Sequence, residues 1–421
     1  MRLAVAMRAR APRAGALRPS TLVLLFTTVL AAGALVALVA DRAGAMPAFA
    51  RRYGTSCASC HAPFPRLGGI ADMFAGHGFR MAPGETPSDT IETGDALLAL
   101  GRALPLAVRF DAHAQLHGDG PPEADFQTPY GLKLLSSAPL SKDLSYYFYF
   151  FLYERGEVGG VEDAFVMWND VAGRPVDLVV GQFQVSDPLF KRELRLAYDD
   201  YVIYRARVGD QPTDLTYDRG AMAIADVAGF TVTAMAVNGN GRAGAQSNRR
   251  LDDDPIKNVA GHVTRDLVPG TLRAGAFGYF GAQDGESAGG AAARNRVWMA
   301  GADATLGRGP FELNLQFLHR EDDAPTFDPA GPRVKVDGGF AEALWVPEGS
   351  RWYGFALYNL ITADRPLLDP RMGGASGVDR YETIAGGAGY LLQRNARLQV
   401  EGFWDFEAEE MRWTGTIVAA Y

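Results

Sequence analysis

The chain has 421 residues and a formal net charge of −8, from 41 basic and 49 acidic side chains. A net negative charge makes nucleic acid an unfavourable partner, because its phosphates repel an acidic surface. The chain contains only two cysteines, which excludes a fold held together by many disulfides.

Residues 1–45 are predicted to be a cleaved signal peptide. Basic residues precede an apolar run at 21–40, and the small residues 43–45 follow it. This order is typical of export signals, although the apolar run is also long enough for an uncleaved membrane anchor. Cleavage would remove six arginines and one aspartate, leaving 35 basic and 48 acidic residues and a net charge of −13.

Both cysteines lie in the run Cys57-Ala58-Ser59-Cys60-His61. C-x-x-C-H is the attachment signature of c-type haem, in which the thiols bond the haem and the histidine ligates the iron. Attachment takes place outside the cytoplasm, in agreement with the predicted export. A disulfide or redox pair is the alternative, but no thioredoxin-like βαβ pattern surrounds the motif. The motif therefore predicts one covalent haem c on Cys57, Cys60 and His61.

Residues 46–100 show no strand pattern and are predicted to form the cytochrome segment. About 55 residues are too few to enclose a haem and keep a core of their own, so we expect this segment to plug something larger. We expect His77, which lies between two glycines, to be the sixth ligand of the iron. The alternatives lie just after the motif or on the first predicted strand: Met73, Met81, His113 and His117.

Residues 101–421 follow a period of two, which is typical of β-strands. In the first strand, for example, Arg109, Asp111 and His113 alternate with apolar residues. Most of the candidate strands are about as long as a tilted membrane-crossing strand, roughly 9–11 residues. Sixteen candidate strands are predicted near 104–116, 128–137, 144–154, 160–168, 175–183, 218–226, 229–238, 256–266, 270–282, 295–306, 310–320, 334–346, 350–361, 380–393, 396–406 and 411–421.

The connections between these strands alternate in length, although two expected outer loops, near 155–159 and 407–410, are short. Short inner turns, longer outer loops, an even strand number and a terminal aromatic, Tyr421, indicate an outer-membrane β-barrel. The predicted fold is therefore all-β, with about sixteen antiparallel strands preceded by the small monohaem cytochrome c segment. A soluble propeller or sandwich is the alternative.

Two features of the predicted barrel bear on its lumen. The aromatic run at 146–153 is expected in an interfacial girdle or lipid-facing band, with core packing as the alternative. The third outer loop, near 184–217, is the one that folds inward in general porins. Its cations Lys191, Arg192 and Arg195 could pair with haem propionates or acidic wall residues, but we favour a solvated helix face.

The segment from Pro47 to Pro65, followed by Gly78-Phe79-Arg80, resembles the fused monohaem cytochrome–porins of bacterial outer membranes. The resemblance covers residues 46–81 at motif level and the mature chain in architecture. It implies covalent haem on Cys57 and Cys60 and His61 as the proximal ligand. The best known members are implicated in oxidising extracellular ferrous iron, so the resemblance implies Fe²⁺ as one candidate donor.

These observations predict electron transfer across the outer membrane through a c-type haem, with Fe(II) oxidase activity left open. The expected partners are outer-membrane lipid, a periplasmic cytochrome and a small extracellular donor or acceptor such as Fe²⁺. The alternative is a solute porin whose haem segment is a plug or redox gate. A soluble periplasmic cytochrome with a β-domain is a third hypothesis. No hydrolytic motif is present.

Overall fold

The computed structural model describes residues 48–421 except 62, 83, 86–89, 92, 96–97, 99–100, 102–104, 119–123, 247, 288 and 371–375. The predicted signal peptide, 1–45, lies outside the described residues. In the part of the chain that the structure describes, no helix is long and apolar enough to cross a membrane.

The head, which we define as the described residues of 48–85, is a small helical unit. It contains the helices Ala48–Tyr53 and Gly69–Gly76, with the 3₁₀ turn Cys57–Ser59 between them. Its core is aromatic: the ring centroids of Phe49 and Phe74 are 5.0 Å apart, and those of Phe49 and Phe79 are 6.1 Å apart. So small a core gives the head little stability of its own.

The rest of the described chain is dominated by one closed sheet. Sixteen antiparallel strands follow one another around the barrel in chain order, and the first strand pairs with both the second and the last. The barrel strands are β1 Leu106–His117, β2 Ala124–Pro139, β3 Leu144–Glu154, β4 Val161–Trp168, β5 Val176–Gln184, β7 Tyr217–Val227, β8 Phe230–Val237, β9 Asn258–Val268, β10 Leu272–Glu286, β11 Ala292–Arg308, β12 Phe311–Asp322, β13 Val334–Trp345, β14 Trp352–Ala363, β16 Arg380–Gln393, β17 Ala396–Asp405 and β18 Glu410–Ala420. The short strands β6 Arg207–Val208 and β15 Leu368–Asp369 form a separate two-stranded ribbon.

The sixteen predicted strands are confirmed. Two of them, 144–154 and 380–393, match β3 and β16 residue for residue, and the others differ by a few residues at their ends. A single closed sheet also rules out the soluble sandwich and propeller. The alternation of apolar and polar residues and the turn residues were sufficient to predict the strands, because each of these signals extends over only a few residues.

The first and last strands close the barrel. Arg109 lies opposite Ala420 and His117 opposite Arg412, so the two strands pair over most of their length. The terminal Tyr421 exchanges two backbone hydrogen bonds of 2.7 Å with Val108. Closure leaves no free strand edge, which is the condition for a sheet to span lipid.

The two faces of the barrel wall differ in polarity. On β12, Asn314 and Gln316 are buried in the lumen, whereas Leu313 and Phe317 point outward and are exposed. Outward-facing apolar side chains recur around the barrel, as a lipid-facing band requires. They include Val166, Val180, Val259, Val263, Phe280, Leu315, Ile384 and Val400.

The third outer loop folds into the lumen. In this inward loop, residues 185–216, Tyr201, Val202 and Tyr204 are at most 1% exposed. The ring of Tyr201 stacks on wall residue Phe340 with centroids 4.2 Å apart. A cavity of only about 10 Å³ is left between the loop and the wall near Ile203, barely room for one water. Near Ile203 the loop therefore packs on the wall through apolar side chains and leaves almost no free space.

The cations of the inward loop are not on a solvated helix face, so that expectation is wrong. Lys191 Nζ lies 2.8 Å from Asp187 and 3.5 Å from Asp163 on the wall. Arg192 is buried in an ion pair with Asp200. Inside the lumen a charge must be paired, because burial removes most of its hydration.

We predict that Phe340→Ala loosens the inward loop. Replacing a buried phenylalanine by alanine lowers stability by about 3–5 kcal/mol. Each 1.4 kcal/mol changes an equilibrium constant about tenfold. Trypsin cleavage within the loop, after Lys191 or Arg192, should therefore accelerate on the order of 100-fold or more. The matched control is Phe317→Ala, which removes a lipid-facing ring from the neighbouring strand. Equal cleavage rates in the two variants would contradict the packing described here.

Candidate functional site

The C-x-x-C-H motif, the predicted haem-attachment site, forms a single helical turn. Ser56 caps the turn through its hydroxyl, which accepts from Ala58 N at 3.3 Å. The amides of Cys60 and His61 both donate to Cys57 O, at 3.2 and 2.8 Å. These bonds hold both cysteines and the histidine together in one compact turn.

The two cysteines are free and half-buried, and they are not joined in a disulfide. Burial raises the pKa of the Cys57 thiol and also that of the Cys60 thiol. Cysteines of redox C-x-x-C pairs have lowered thiol pKa values instead, because the thiolate is their reactive form. The environment of this pair is therefore unlike that of a redox-active pair.

The His61 ring is held in an orientation suited to metal ligation. Its Nδ1 lies 3.1 Å from Pro65 O and 3.3 Å from Arg66 O. A carbonyl oxygen only accepts, so Nδ1 carries the proton and Nε2 keeps its lone pair. Metal-ligating histidines are usually fixed in this way by a second hydrogen bond. Burial lowers the pKa of His61, which favours the neutral imidazole that a metal needs.

One side of the head is anchored to the wall through Arg66. Its guanidinium forms ion pairs with Glu312 and Glu342, on β12 and β13. Beside it, Phe64 contacts the His61 ring edge-on at 5.2 Å, and Arg109 of β1 lies over Phe64 at 5.6 Å. The C-x-x-C-H turn is thereby fixed against strands on two parts of the wall.

The opposite side of the head rests on the aromatic strand β3. Phe79 stacks on Tyr147 with ring centroids 5.0 Å apart. Tyr147, Tyr149 and Phe151 are buried and form one cluster that faces the lumen. The expectation that this aromatic run faces lipid is therefore wrong for these alternate residues. The wall supplies the apolar surface that the small head lacks.

Gly78 and Arg80 make a closely packed contact between the head and the barrel. Arg80 is 1% exposed and donates to Asn169 Oδ1 and to the carbonyls of Ser141 and Leu144, at 2.8–3.1 Å. Gly78 has a φ of +65°, and a Cβ there would lie 2.1 Å from Asn169 Oδ1. These partners lie in or beside the short turns after β2 and β4. Short turns are periplasmic in barrels of this type, so the head sits in the periplasmic mouth.

The candidates for a sixth ligand are spread over three environments. His77 caps the helix Gly69–Gly76, and its Nδ1 is buried with no hydrogen-bond partner in the described structure. Met73 and Met81 are exposed. His113 lies four residues beyond Arg109 on β1, about 13 Å along the strand. Its distance from the head argues against it, and His77 stays a prediction.

The two strand histidines have partners of their own near the outer end. His113 Nδ1 lies 2.8 Å from Thr416 Oγ1, and its ring contacts Tyr130 and Tyr198. His117 lies 2.8 Å from Glu410. Among the described residues, no group of three or more His, Cys, Asp or Glu side chains is placed to hold a metal ion.

Sequence reasoning missed the residues that dock the head. Arg66 and Arg80 follow the haem motif, but their partners Glu342 and Asn169 are 276 and 89 residues away. Tyr147 is one of many aromatics in its strand. The local signals were the glycines on either side of His77, one of which makes the close approach, and the run Gly78-Phe79-Arg80, whose docking role the resemblance did not give.

No protein-family model and no curated protein sequence matches this chain. Solved structures do match in fold. An anion-selective porin from Comamonas acidovorans aligns with a TM-score of 0.54 and 13% identity, covering 76% of this chain and 99% of the porin. OmpF of Salmonella typhi in complex with daunomycin aligns with a TM-score of 0.51 and 13% identity, covering 76% of this chain and 97% of OmpF. A loop-deleted OmpT of Vibrio cholerae aligns with a TM-score of 0.51 and 11% identity, covering 76% of this chain and 99% of OmpT. At this identity the likeness shows a porin-type outer-membrane barrel fold.

We predict that Gly78→Ala releases the head from the mouth. A left-handed conformation costs a non-glycine residue about 1–2 kcal/mol, and the new methyl group would also overlap Asn169. Trypsin should then cleave after the normally buried Arg80. The control is Gly76→Ala, because a Cβ at Gly76 meets nothing within 4 Å. Protection of Arg80 in both variants would show that the head is not held through this contact.

Proposed function

We propose that this protein is an outer-membrane electron-transfer barrel with one covalent c-type haem in its periplasmic mouth. The observation that carries the proposal is the C-x-x-C-H turn, with His61 oriented by its Nδ1 hydrogen bond and the whole head docked on the barrel. Cys57 and Cys60 would hold the haem covalently and His61 would be the proximal ligand. His77 is the proposed sixth ligand.

The residues of the chain fit this group. Two unpaired thiols and one imidazole oriented by its Nδ1 contact lie within five consecutive residues. When bound, haem c supplies a one-electron redox centre. The other residues have structural tasks: Arg66 and Arg80 of the head bind it to the barrel, and the inward loop packs closely on the wall near Ile203. In this proposal a periplasmic cytochrome is the inner electron partner, and a small extracellular donor such as Fe²⁺ is the outer one.

A solute porin with a haem-bearing plug is the second candidate. The fold likeness to porins, one of them described as anion-selective, favours it. A cavity of about 510 Å³ at the outer end of the barrel also gives a solute a way in. The apolar packing of the inward loop and the head in the opposite mouth favour electron transfer instead, because both narrow the path for a solute.

We predict that the protein purified from outer membranes carries the mass of one haem, and that Cys57→Ser/Cys60→Ser abolishes it. The double variant should still fold into the barrel, because neither thiol belongs to a strand. Mass spectrometry of the intact chain measures whether the haem mass is present. Heat-sensitive migration on a denaturing gel shows whether the double variant has folded into the barrel. A wild-type chain without the added mass would overturn the haem proposal.

The electron-transfer step is tested in sealed vesicles with the outer loops facing outward. Ferrous iron added outside should reduce the haem, which the visible spectrum records. A haem that is reduced by dithionite but not by iron would remove Fe²⁺ as the donor and leave the haem assignment intact.

We predict that the wild-type barrel conducts ions poorly in planar bilayers, since the loop and the head narrow the lumen. Phe340→Ala, which loosens the inward loop, should raise the conductance and acts as the positive control. A large, ion-selective conductance of the wild type would favour the solute porin.

A further inference from the structure

A phenol and two carboxyl groups meet where the inward loop begins to pack on the wall. Glu193 belongs to the 3₁₀ turn Arg192–Leu194 of the inward loop. Its neighbours on the wall are Glu162 of β4 and Tyr217 of β7. Glu162 is 6% exposed and Tyr217 is 2% exposed. These side chains take no part in the docking of the head, so their arrangement needs an explanation of its own.

The two carboxyl groups share one phenol. Tyr217 Oη lies 2.8 Å from Glu162 Oε2 and 2.5 Å from Glu193 Oε1, and both are hydrogen-bond distances. A phenol has a single proton, and an ionised carboxylate can only accept. If both carboxyl groups were ionised, one of the two contacts would bring two lone pairs together without a proton between them. The arrangement is satisfied when one of the carboxyl groups is protonated.

The neighbouring amide does not supply the missing proton. Gln184 Nε2 donates to Tyr217 Oη at 3.1 Å and to Glu193 Oε2 at 2.8 Å. Neither bond reaches the contact between the phenol and Glu162. With a protonated Glu162, the phenol oxygen would accept from Glu162 and from Gln184 and would donate to Glu193. Every donor and acceptor at the phenol would then have a partner.

The surroundings favour Glu162 as the protonated member. Burial by itself would raise the pKa of Glu193, but the charges of Arg192 and Lys191 and the hydrogen bond from Tyr217 outweigh burial and lower that pKa. Glu162 has a weaker partner, Arg242, whose Nη1 lies 3.4 Å from Glu162 Oε1 and whose side chain is 42% exposed. Glu193 is therefore the better site for the negative charge.

The charged groups of the wall around the site have partners besides the two glutamates. Arg109 and Lys133 both pair with Asp111, at 2.7 and 3.1 Å. Glu154 lies 3.7 Å from Arg155. The remaining titratable groups that face the site from β3 and β4 are the phenol of Tyr149 and the carboxylate of Asp163.

The cations of the two nearby loops do not replace the proton either. On the inward loop, Lys191 lies beside Asp187 and Asp163. Arg192 and Arg195 both pair with Asp200. Arg242, from the loop after β8, contacts the oxygen of Glu162 that points away from the phenol. The contact between Glu162 Oε2 and Tyr217 Oη therefore keeps its need for a proton.

We propose that Glu162, Tyr217 and Glu193 form a proton-binding site that latches the inward loop to the wall. Loss of the proton leaves two carboxylates on one phenol, and their repulsion loosens the start of the loop. The latched loop holds one proton more than the released loop, so the latch is favoured at low pH and a rising pH favours release. The proposal does not depend on the haem, because no residue of the head contributes to the site.

Infrared spectroscopy of the purified mature protein in an ester-free detergent tests for the bound proton, because protonated carboxyl groups and carboxylates absorb at different frequencies. At about pH 6 the wild type should show a protonated-carboxyl band that Glu162→Gln lacks, and this band should fade as the pH rises. Identical bands in the two proteins would overturn the proposal.

The matched control for the infrared measurement is Glu382→Gln. Tyr358 Oη donates to Glu382 at 2.6 Å on the outward face of β16, in a pair of one phenol and one carboxylate. Such a pair needs no additional proton. The control should therefore keep the wild-type band, and loss of the band in this variant would contradict its assignment to Glu162.

Trypsin cleavage after Lys191 or Arg192 tests the latch itself. Glu162→Gln keeps an N–H donor beside the phenol and cannot ionise, so its loop should stay latched at every pH. Dividing the wild-type rate by the rate of this variant at the same pH cancels the pH dependence of the protease. The ratio should rise about tenfold or more between about pH 6 and about pH 9. A constant ratio would overturn the proposal.

Heat-sensitive migration on a denaturing gel shows whether each variant has folded. If Glu162→Gln does not fold, Glu193→Gln takes its place in the infrared measurement. With one carboxyl group left to share the phenol, no additional proton is needed, and the band should again be absent. Persistence of the band in this folded variant would overturn the proposal.

Discussion

A strand that crosses lipid must find every backbone hydrogen-bond partner within the protein, and the pairing of β1 with β18 meets that requirement. Nine residue pairs join the two strands, and Tyr421 and Val108 complete the seam. Without this seam, both strands would expose edges to hydrocarbon, at several kcal/mol per unpaired group. The lumen and everything held in it exist because the sheet closes.

Closure creates an interior, and the chain fills that interior with its own segments. From the outer side, the inward loop contributes Tyr201 and Tyr204, which pack on Phe340. At the periplasmic side, the head contributes Phe79, which packs on Tyr147. Several charged side chains inside the lumen lie beside an opposite charge, as Lys191 does beside Asp187. The lumen of this barrel thus resembles a protein core over much of its length.

The sequence was sufficient to predict the strands of the barrel but not the contacts inside its lumen. The reason is that the strand signals are local, whereas the lumenal contacts join residues far apart in the chain. Strand β3 could be located residue for residue because alternation and turns are local. Which of its aromatics face inward was not readable, since both faces of the strand are aromatic. The partners of Arg66 lie on β12 and β13, and the wall partner of Lys191 is Asp163 on β4. Such pairs become neighbours only when the sheet closes.

The docking of the head has a consequence for the order of assembly. Its anchors include Ser141 and Leu144 at the turn between β2 and β3, and Glu342 on β13. These groups come together only after both halves of the sheet have formed and the ring has closed. The head, although it precedes the barrel in the chain, therefore makes its full set of wall contacts only after the sheet has closed. Its seating would report that a newly inserted barrel is complete.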